Sequence, residues 1–151
     1  MNPRTSTLDV YSIAADKEGA RAAAAWLAAR GRQRSMPSSM VARLDQCLDE
    51  ALANIIAYGG PSARASPIDL SLRIHREADH DTAALTVSDA GAPFNPLSTT
   101  LQASGRPAGL AEVEPGGLGL VMIRAFSDTQ AYHFDRGRNL LTFAVSWADT
   151  A

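Results

Sequence analysis

A carboxylate and a carboxamide lie one helical turn apart near the middle of the chain. Glu50 and Asn54 fall in the stretch 39–60, where apolar residues recur at steps of three and four and predict an amphipathic helix. Residues four apart share one face of a helix, so both side chains are expected at the border of the apolar stripe. The carboxylate can take a proton from a hydroxyl group or water, and the amide oxygen can bind a hard cation. The spacing alone equally fits a pair of solvated neighbours.

A second polar cluster follows a predicted strand. Residues 84–88 predict that strand, and Asp89 and Gly91 come directly after it, followed by Phe94. An ionised Asp89 can accept a hydrogen bond from an exocyclic amino group such as that of adenine, and Gly91 leaves bare backbone where a ligand can approach. The alternative is an ordinary aspartate turn, which the spacing alone favours.

A third cluster is rich in glycine. Residues 116–119 read Gly-Gly-Leu-Gly and open a predicted helix, where free backbone N–H groups and the helix dipole can hold a phosphate. Glycines at a helix start also occur as plain loop chemistry. Lys17 is the single lysine among 14 basic residues, and no P-loop motif is present. Phosphate contacts must therefore come from backbone N–H groups, a metal ion or arginine.

Composition indicates an ordinary soluble domain. The chain has 151 residues, 46% of them hydrophobic and 20% charged, with a net charge of -2, which predicts one domain over residues 1–151. Nucleic acid is an unfavourable partner because there is no positive excess and no basic tract. The single cysteine, Cys47, excludes an internal disulfide and favours a reducing cytosol, where we expect the protein to be cytoplasmic. No apolar run is long enough to predict a membrane span.

The remaining patterns predict an α+β domain, a two-layer sandwich in which helices cover one face of a mixed, mostly antiparallel sheet. Asp16 is expected to cap the first helix, Ser38 or Ser39 to cap the second, and Gly59–Gly60 to end it. The predicted elements are strand 8–14, helix 17–30, helix 39–60, a hairpin of strands 68–75 and 84–88, a long loop at about 97–115, helix 116–126, and a hairpin of strands 131–134 and 140–147.

Taken together, the three clusters resemble the ATP-binding boxes of the GHKL ATPase superfamily. Their types and order match: Glu-x-x-x-Asn from Glu50, Asp-x-Gly-x-Pro-Phe from Asp89, and Gly-Gly-Leu-Gly-Leu at 116–120. The resemblance covers nearly the whole chain and implies the Bergerat ATP-binding fold. Within the superfamily, the chain is similar to the small serine-protein kinases that act as bacterial anti-sigma factors.

The resemblance also implies roles for individual residues. Glu50 is expected to be the general base that activates the acceptor serine of a partner protein, and Asn54 to hold magnesium against the ATP phosphates. Asp89 is expected to read the adenine amino group. The loop 97–115 corresponds to the ATP lid. The other expected nucleotide contacts are Gly91 and Phe94 near adenine, Arg106 toward the γ-phosphate, Gly117, Leu118 and Gly119 at the phosphates, and Thr142 in the adenine network.

The function that the resemblance implies is an ATP-dependent serine-protein kinase in a partner switch. Such a protein phosphorylates a STAS-type antagonist and sequesters a sigma factor or another target, and the likeness alone implies a homodimer. One alternative is a nucleotide-gated protein-binding module with little or no kinase activity. Another is a scaffold whose ATP pocket has decayed. Tyr58 stands where many relatives have histidine and is expected to pack at the rim of the core.

Overall fold

A computed structural model describes residues 5–97 and 117–148. It confirms the predicted α+β architecture, with helices packed on one face of a five-stranded sheet. Arg106 and the predicted lid, apart from Leu97, lie outside the described residues. The elements are β1 (Thr5–Ile13), α1 (Lys17–Gln33), α2 (Ser38–Tyr58), α3 (Gly60–Ala65), β2 (Ile68–Arg76), β3 (His80–Asp89), α4 (Gly117–Phe126), β4 (Thr129–Asp135) and β5 (Arg138–Ala148).

The sheet has the strand order β1-β2-β3-β5-β4. All four pairings among the described strands are antiparallel, so the expected mixed character is not found there. Side chains alternate between the faces, and one face is buried beneath the helices. In the register of β3 with β5, Leu85 stands opposite Phe143 in the core, and Asp89 stands opposite Asn139 at the end of the sheet.

The apolar stripe of α2 fills the space between the sheet and the other helices. Leu44, Leu48 and Leu52 are buried, as the periodicity predicts. Cys47 is buried among them, and its burial raises the pKa of the thiol to about 11, so the group stays protonated as a small core residue. None of the helices in the described part of the chain combines the length and apolar character needed to cross a bilayer.

Two contacts fix the direction of α4 against α2. The Arg43 Nε donates to the Phe126 carbonyl at 3.0 Å, and the Cys47 thiol lies 3.6 Å from the Ile123 carbonyl. Cys47 follows Arg43 along α2, whereas its partner Ile123 precedes Phe126 along α4, so the two helices run antiparallel. The N-terminus of α4 is therefore directed toward the end of α2 that carries Asn54.

The helix ends differ in part from the predictions. Asp16 caps α1 as expected, because its Oδ1 accepts a hydrogen bond from the Gly19 N–H at 2.8 Å. The expected serine cap of α2 is wrong: the helix begins at Ser38, and Pro37 occupies the cap position without a side-chain hydrogen bond. Gly59 ends α2 as expected.

A short helix was not predicted after α2. The sequence predicts no element between helix 39–60 and strand 68–75, but this interval contains α3, which starts at Gly60 with a positive φ of 79°. Its Ala63 is fully buried. The proline and serine of this segment suggested a break, but packing against neighbouring elements supplies the stability that local propensity lacks. The terminal hairpin is confirmed, with Arg136 and Gly137 both at positive φ in its turn.

An ion pair joins the edge strand β1 to the end of α1. Arg34 donates from Nε and Nη2 to the two carboxylate oxygens of Asp9, each at 2.9 Å. Arg76 extends the network, since it donates to Asp81 at 2.8 Å and to the Arg34 carbonyl. The hydrogen bonds from Arg34 hold the pKa of Asp9 below its ordinary value.

Replacing Asp9 by Asn should reduce the dependence of stability on pH. Because the folded-state pKa is lowered, the carboxylate stabilises the fold above the unfolded pKa of about 4, and this contribution is lost as the pH falls through the folded value. Urea unfolding at about pH 6 should find Asp9→Asn less stable than the parent, and the difference should shrink toward about pH 3.

The matched control is Asp135→Asn, since the pair that Asp135 forms with Arg136 is open to solvent. It should leave the pH profile of the parent unchanged. An Asp9→Asn protein with the parent's full acid sensitivity would contradict the assignment.

A second prediction concerns Gly19 in the first turn of α1. A Cβ placed on Gly19 would lie 1.8 Å from the Ala14 carbonyl oxygen, and backbone cannot move aside cheaply. Gly19→Ala should lower the free energy of unfolding by about 3 kcal/mol, measured by urea denaturation. Glu18→Gln in the same turn changes an exposed side chain and should leave the midpoint unchanged, whereas an equally stable Gly19→Ala would refute the close approach.

Candidate functional site

A cleft opens where the end of α2 meets the turn after β3 and the start of β5. Its empty space, including the part open to solvent, is about 530 Å³. The walls are largely apolar, and a few polar side chains converge on them, as is typical of small-molecule sites. The described residues that line the cleft are Ala51, Asn54, Ile55, Tyr58, Gly59, Val87, Asp89, Ala92, Phe94, Pro96, Tyr132, Asn139 and Leu141.

Asp89 is the one acidic side chain among these lining residues. The residue is only 7% exposed. Its Oδ1 accepts hydrogen bonds from the Gly91 N–H at 2.8 Å and from the Asn139 amide at 3.2 Å. Among the described residues no donor bonds to Oδ2. That oxygen can therefore accept a hydrogen bond from a ligand, as the sequence predicts for an amino group.

Gly91 packs so closely that any side chain at this position would force its neighbours to shift. A Cβ at this position would lie 2.9 Å from Asp89 Oδ1 and 3.0 Å from the Gly59 carbonyl oxygen. The sequence predicts that Gly91 leaves bare backbone where a ligand can approach. In the structure its small size also brings the turn against the end of α2 at Gly59, which lines the cleft.

Asn139 and Tyr132 also line the cleft, although the sequence patterns did not indicate them as site residues. Asn139 is 6% exposed, and its amide nitrogen lies 3.2 Å from the Gly91 carbonyl oxygen and 3.0 Å from that of Ala92. Its Oδ1 accepts from the Phe94 N–H at 3.0 Å and from the Tyr132 hydroxyl. The available signal was the register of the two hairpins, which sets Asn139 opposite Asp89.

The two polar residues of α2 differ in their relation to the cleft. Asn54 is half-buried and lines it, whereas Glu50, also half-buried, is absent from the described lining, which passes through Ala51. Tyr58 was expected to pack at the rim of the core. It is instead 57% exposed and lines the cleft one turn after Asn54.

The other predicted contacts fall into three groups. Phe94 lines the cleft and is partly exposed. Thr142 is not brought there: its hydroxyl pairs with that of Thr86 at 2.7 Å on the sheet face away from the helices, and its neighbour Leu141 lines the cleft. Gly117, Leu118 and Gly119 form the first turn of α4, whose predicted glycine-led start is confirmed.

The residues present fit an adenine nucleotide with magnesium. Apolar walls beside one carboxylate oxygen suit a flat heterocycle that carries an amino group. The described residues contain no group of three or more His, Cys, Asp or Glu side chains that could hold a metal ion by themselves. Mg²⁺ commonly keeps several waters and binds through substrate phosphates, so a single ligand such as the Asn54 oxygen is compatible with it.

Fold and cleft define a nucleotide-binding two-layer domain, and the chain belongs to the family of histidine kinase-like ATPase domains, whose model matches residues 13–145. Membership of this family implies that the chain binds ATP or ADP. A relative is the serine/threonine-protein kinase BtrW of Bordetella bronchiseptica, 32% identical over 99 residues. The alignment covers 66% of this chain and 66% of BtrW, just under two thirds of that relative's length.

Gly91→Ala should weaken both the fold and the site. The added methyl group must displace Asp89 or the end of α2, so we expect a loss of about 1–3 kcal/mol in urea unfolding together with weaker ADP binding by calorimetry. The contrasting change is Gly137→Asn in the hairpin turn, where φ is 79° and nothing lies within 4 Å of an added Cβ. Asparagine tolerates this conformation, so both properties should be retained. Equal behaviour of the two variants would contradict the packing described for Gly91.

Proposed function

We propose that the protein is an ATP-dependent protein-serine kinase of a partner switch. It phosphorylates a small STAS-type antagonist and sequesters a sigma factor or another regulated target. The main support is the cleft that Asn54 and Asp89 share, in a chain that belongs to an ATPase-domain family. The similarity to a protein named as a serine/threonine kinase favours transfer to a hydroxyl group.

The proposed roles divide between the two ends of the cleft. Asp89 accepts a hydrogen bond from the adenine amino group through Oδ2, and the apolar walls hold the base. Asn54 supplies an oxygen to the magnesium ion. Bound ATP supplies the transferable phosphoryl group, and the magnesium neutralises its charge. The first turn of α4 offers backbone N–H groups to the phosphates.

Glu50 acts as the general base in this proposal. It accepts the proton of the serine hydroxyl as that oxygen bonds to the γ-phosphorus and ADP leaves. Glu50 is half-buried one turn from Asn54, near the expected phosphate end of the cleft, and its exposed part leaves the carboxylate accessible to a partner protein. A second copy of the chain, forming a homodimer, and a cytoplasmic location are part of the same proposal.

A second candidate is a nucleotide-gated binding module with little or no kinase activity. The observation that favours it is the absence of Glu50 from the described lining of the cleft, whereas Asn54 and Asp89 are both present. In that case ATP and ADP change the affinity for a partner protein, and no phosphoryl group is transferred.

Exchange of Glu50 distinguishes the two candidates. With radiolabelled ATP, magnesium and a STAS-type protein encoded nearby in the genome, Glu50→Gln should lower the rate of phosphorylation about a hundredfold or more. Affinity for ADP, measured by calorimetry, should be unchanged because the side chain is not needed to bind the base.

The matched control is Asp49→Asn, which changes the neighbouring carboxylate on the exposed side of α2. It should keep the parent's rate. Absence of labelling in the parent protein, with ATP-dependent binding of the antagonist, would favour the binding module instead.

A further inference from the structure

The amide of Asn139 has no hydrogen-bonding capacity left for a ligand. An asparagine side chain has two N–H groups and two acceptor positions on its oxygen. Here the nitrogen lies within 3.2 Å of three acceptors, namely Asp89 Oδ1 and the carbonyl oxygens of Gly91 and Ala92. The oxygen accepts from the Phe94 N–H and from the Tyr132 hydroxyl. Asn139 can therefore affect the hydrogen bonds of a ligand only through these neighbours.

The chemistry of these neighbours fixes the orientation of the amide. The carbonyl groups of Gly91 and Ala92 can only accept, and the backbone N–H of Phe94 can only donate. If the amide were turned by 180°, its oxygen would face the carbonyl oxygens of Gly91 and Ala92, and its N–H groups would face the N–H of Phe94. The Tyr132 hydroxyl can act in either way, and in the observed orientation it adds a second donor to Oδ1.

The same network determines which oxygen of Asp89 can meet a ligand. Oδ1 already accepts from Gly91 and Asn139, on the side of the turn. Rotation of the carboxylate plane would leave the buried Gly91 N–H without its acceptor and would break the contact with the Asn139 amide, and such a loss is costly in a buried site. Oδ2 is thus held as the oxygen available in the cleft.

We propose that Asn139, held by Tyr132, is a positioning residue that gives the nucleotide site its selectivity for a base with an exocyclic amino group. It acts by fixing Asp89 in one orientation and by holding the backbone from Gly91 to Phe94 in one turn. This inference rests on the proposed binding of an adenine nucleotide. It adds that selectivity depends on a residue that makes no hydrogen bond to the base.

The test compares two ligands that differ only in the amino group: ADP and the diphosphate of purine riboside, which lacks it. Calorimetry on the full chain should find ADP bound about tenfold or more tightly by the parent, because a hydrogen bond to a charged group is lost in the analogue. Asn139→Ala should reduce this ratio to about threefold or less, whatever happens to the two affinities individually. Tyr132→Phe removes one hydroxyl and should give an intermediate ratio.

The ratio separates positioning from general damage, because a merely weakened fold lowers both affinities together. Thr142→Val is the matched control: it lies on the same strand, removes a hydrogen bond on the opposite face of the sheet, and should keep the parent's ratio. If Asn139→Ala does not fold, the ratio for Tyr132→Phe decides.

Three outcomes would overturn the inference. If the folded variants keep the parent's ratio, the role proposed for Asn139 is refuted, but the proposed nucleotide site is not. Equal binding of both ligands by the parent would show that Asp89 does not read the amino group. No binding of either ligand by the parent would remove the proposed function as well.

Discussion

The site depends on the pairing of β3 with β5 in the middle of the sheet. That pairing sets Asp89 opposite Asn139, residues that are fifty positions apart in the chain. A slip of one residue would turn Asn139 to the other face of the sheet, together with the buried Leu141 and Phe143. The core therefore fixes the register, and the register brings the amide to the carboxylate.

Helix α2 joins the core to the cleft. One of its faces buries Leu44, Leu48 and Leu52, and Asn54 emerges at the border of that face, half-buried. The contacts of α2 with α4 then set the direction of the glycine-led helix start. Helix α2 thus positions Asn54 relative to the first turn of α4, the proposed phosphate end of the cleft. Packing of its apolar face, rather than hydrogen bonding, provides most of the stability of α2.

Charge is used differently at the two ends of β3. At its start, Asp81 is paired with Arg76 through Oδ2, and among the described residues its buried Oδ1 has no hydrogen-bond partner. Arg76 also donates to the carbonyl of Arg34, which is paired with Asp9, so these ion pairs join strands to the end of a helix. At its end, Asp89 is bound by uncharged donors only, among the described residues. A carboxylate held by neutral groups keeps its negative charge available to a ligand, whereas an ion pair would neutralise it. The ion pairs at the start of β3 stabilise the fold, and the carboxylate held by neutral donors at its end suits recognition of a ligand.

Local patterns in the sequence were sufficient for the described elements except the short helix α3, and they indicated part of the cleft. Apolar periodicity determined α2 and the strands, the Asp16 cap determined the start of α1, and the motif types indicated Asn54, Asp89 and Gly91. Asn139, Tyr132 and the position of Thr142 were decided only by the tertiary structure. Strand register depends on contacts between distant segments, and a shift of one residue exchanges the two faces of a strand. The family resemblance therefore named Thr142 for the adenine network, whereas the folded sheet sets its neighbour Leu141 at the cleft.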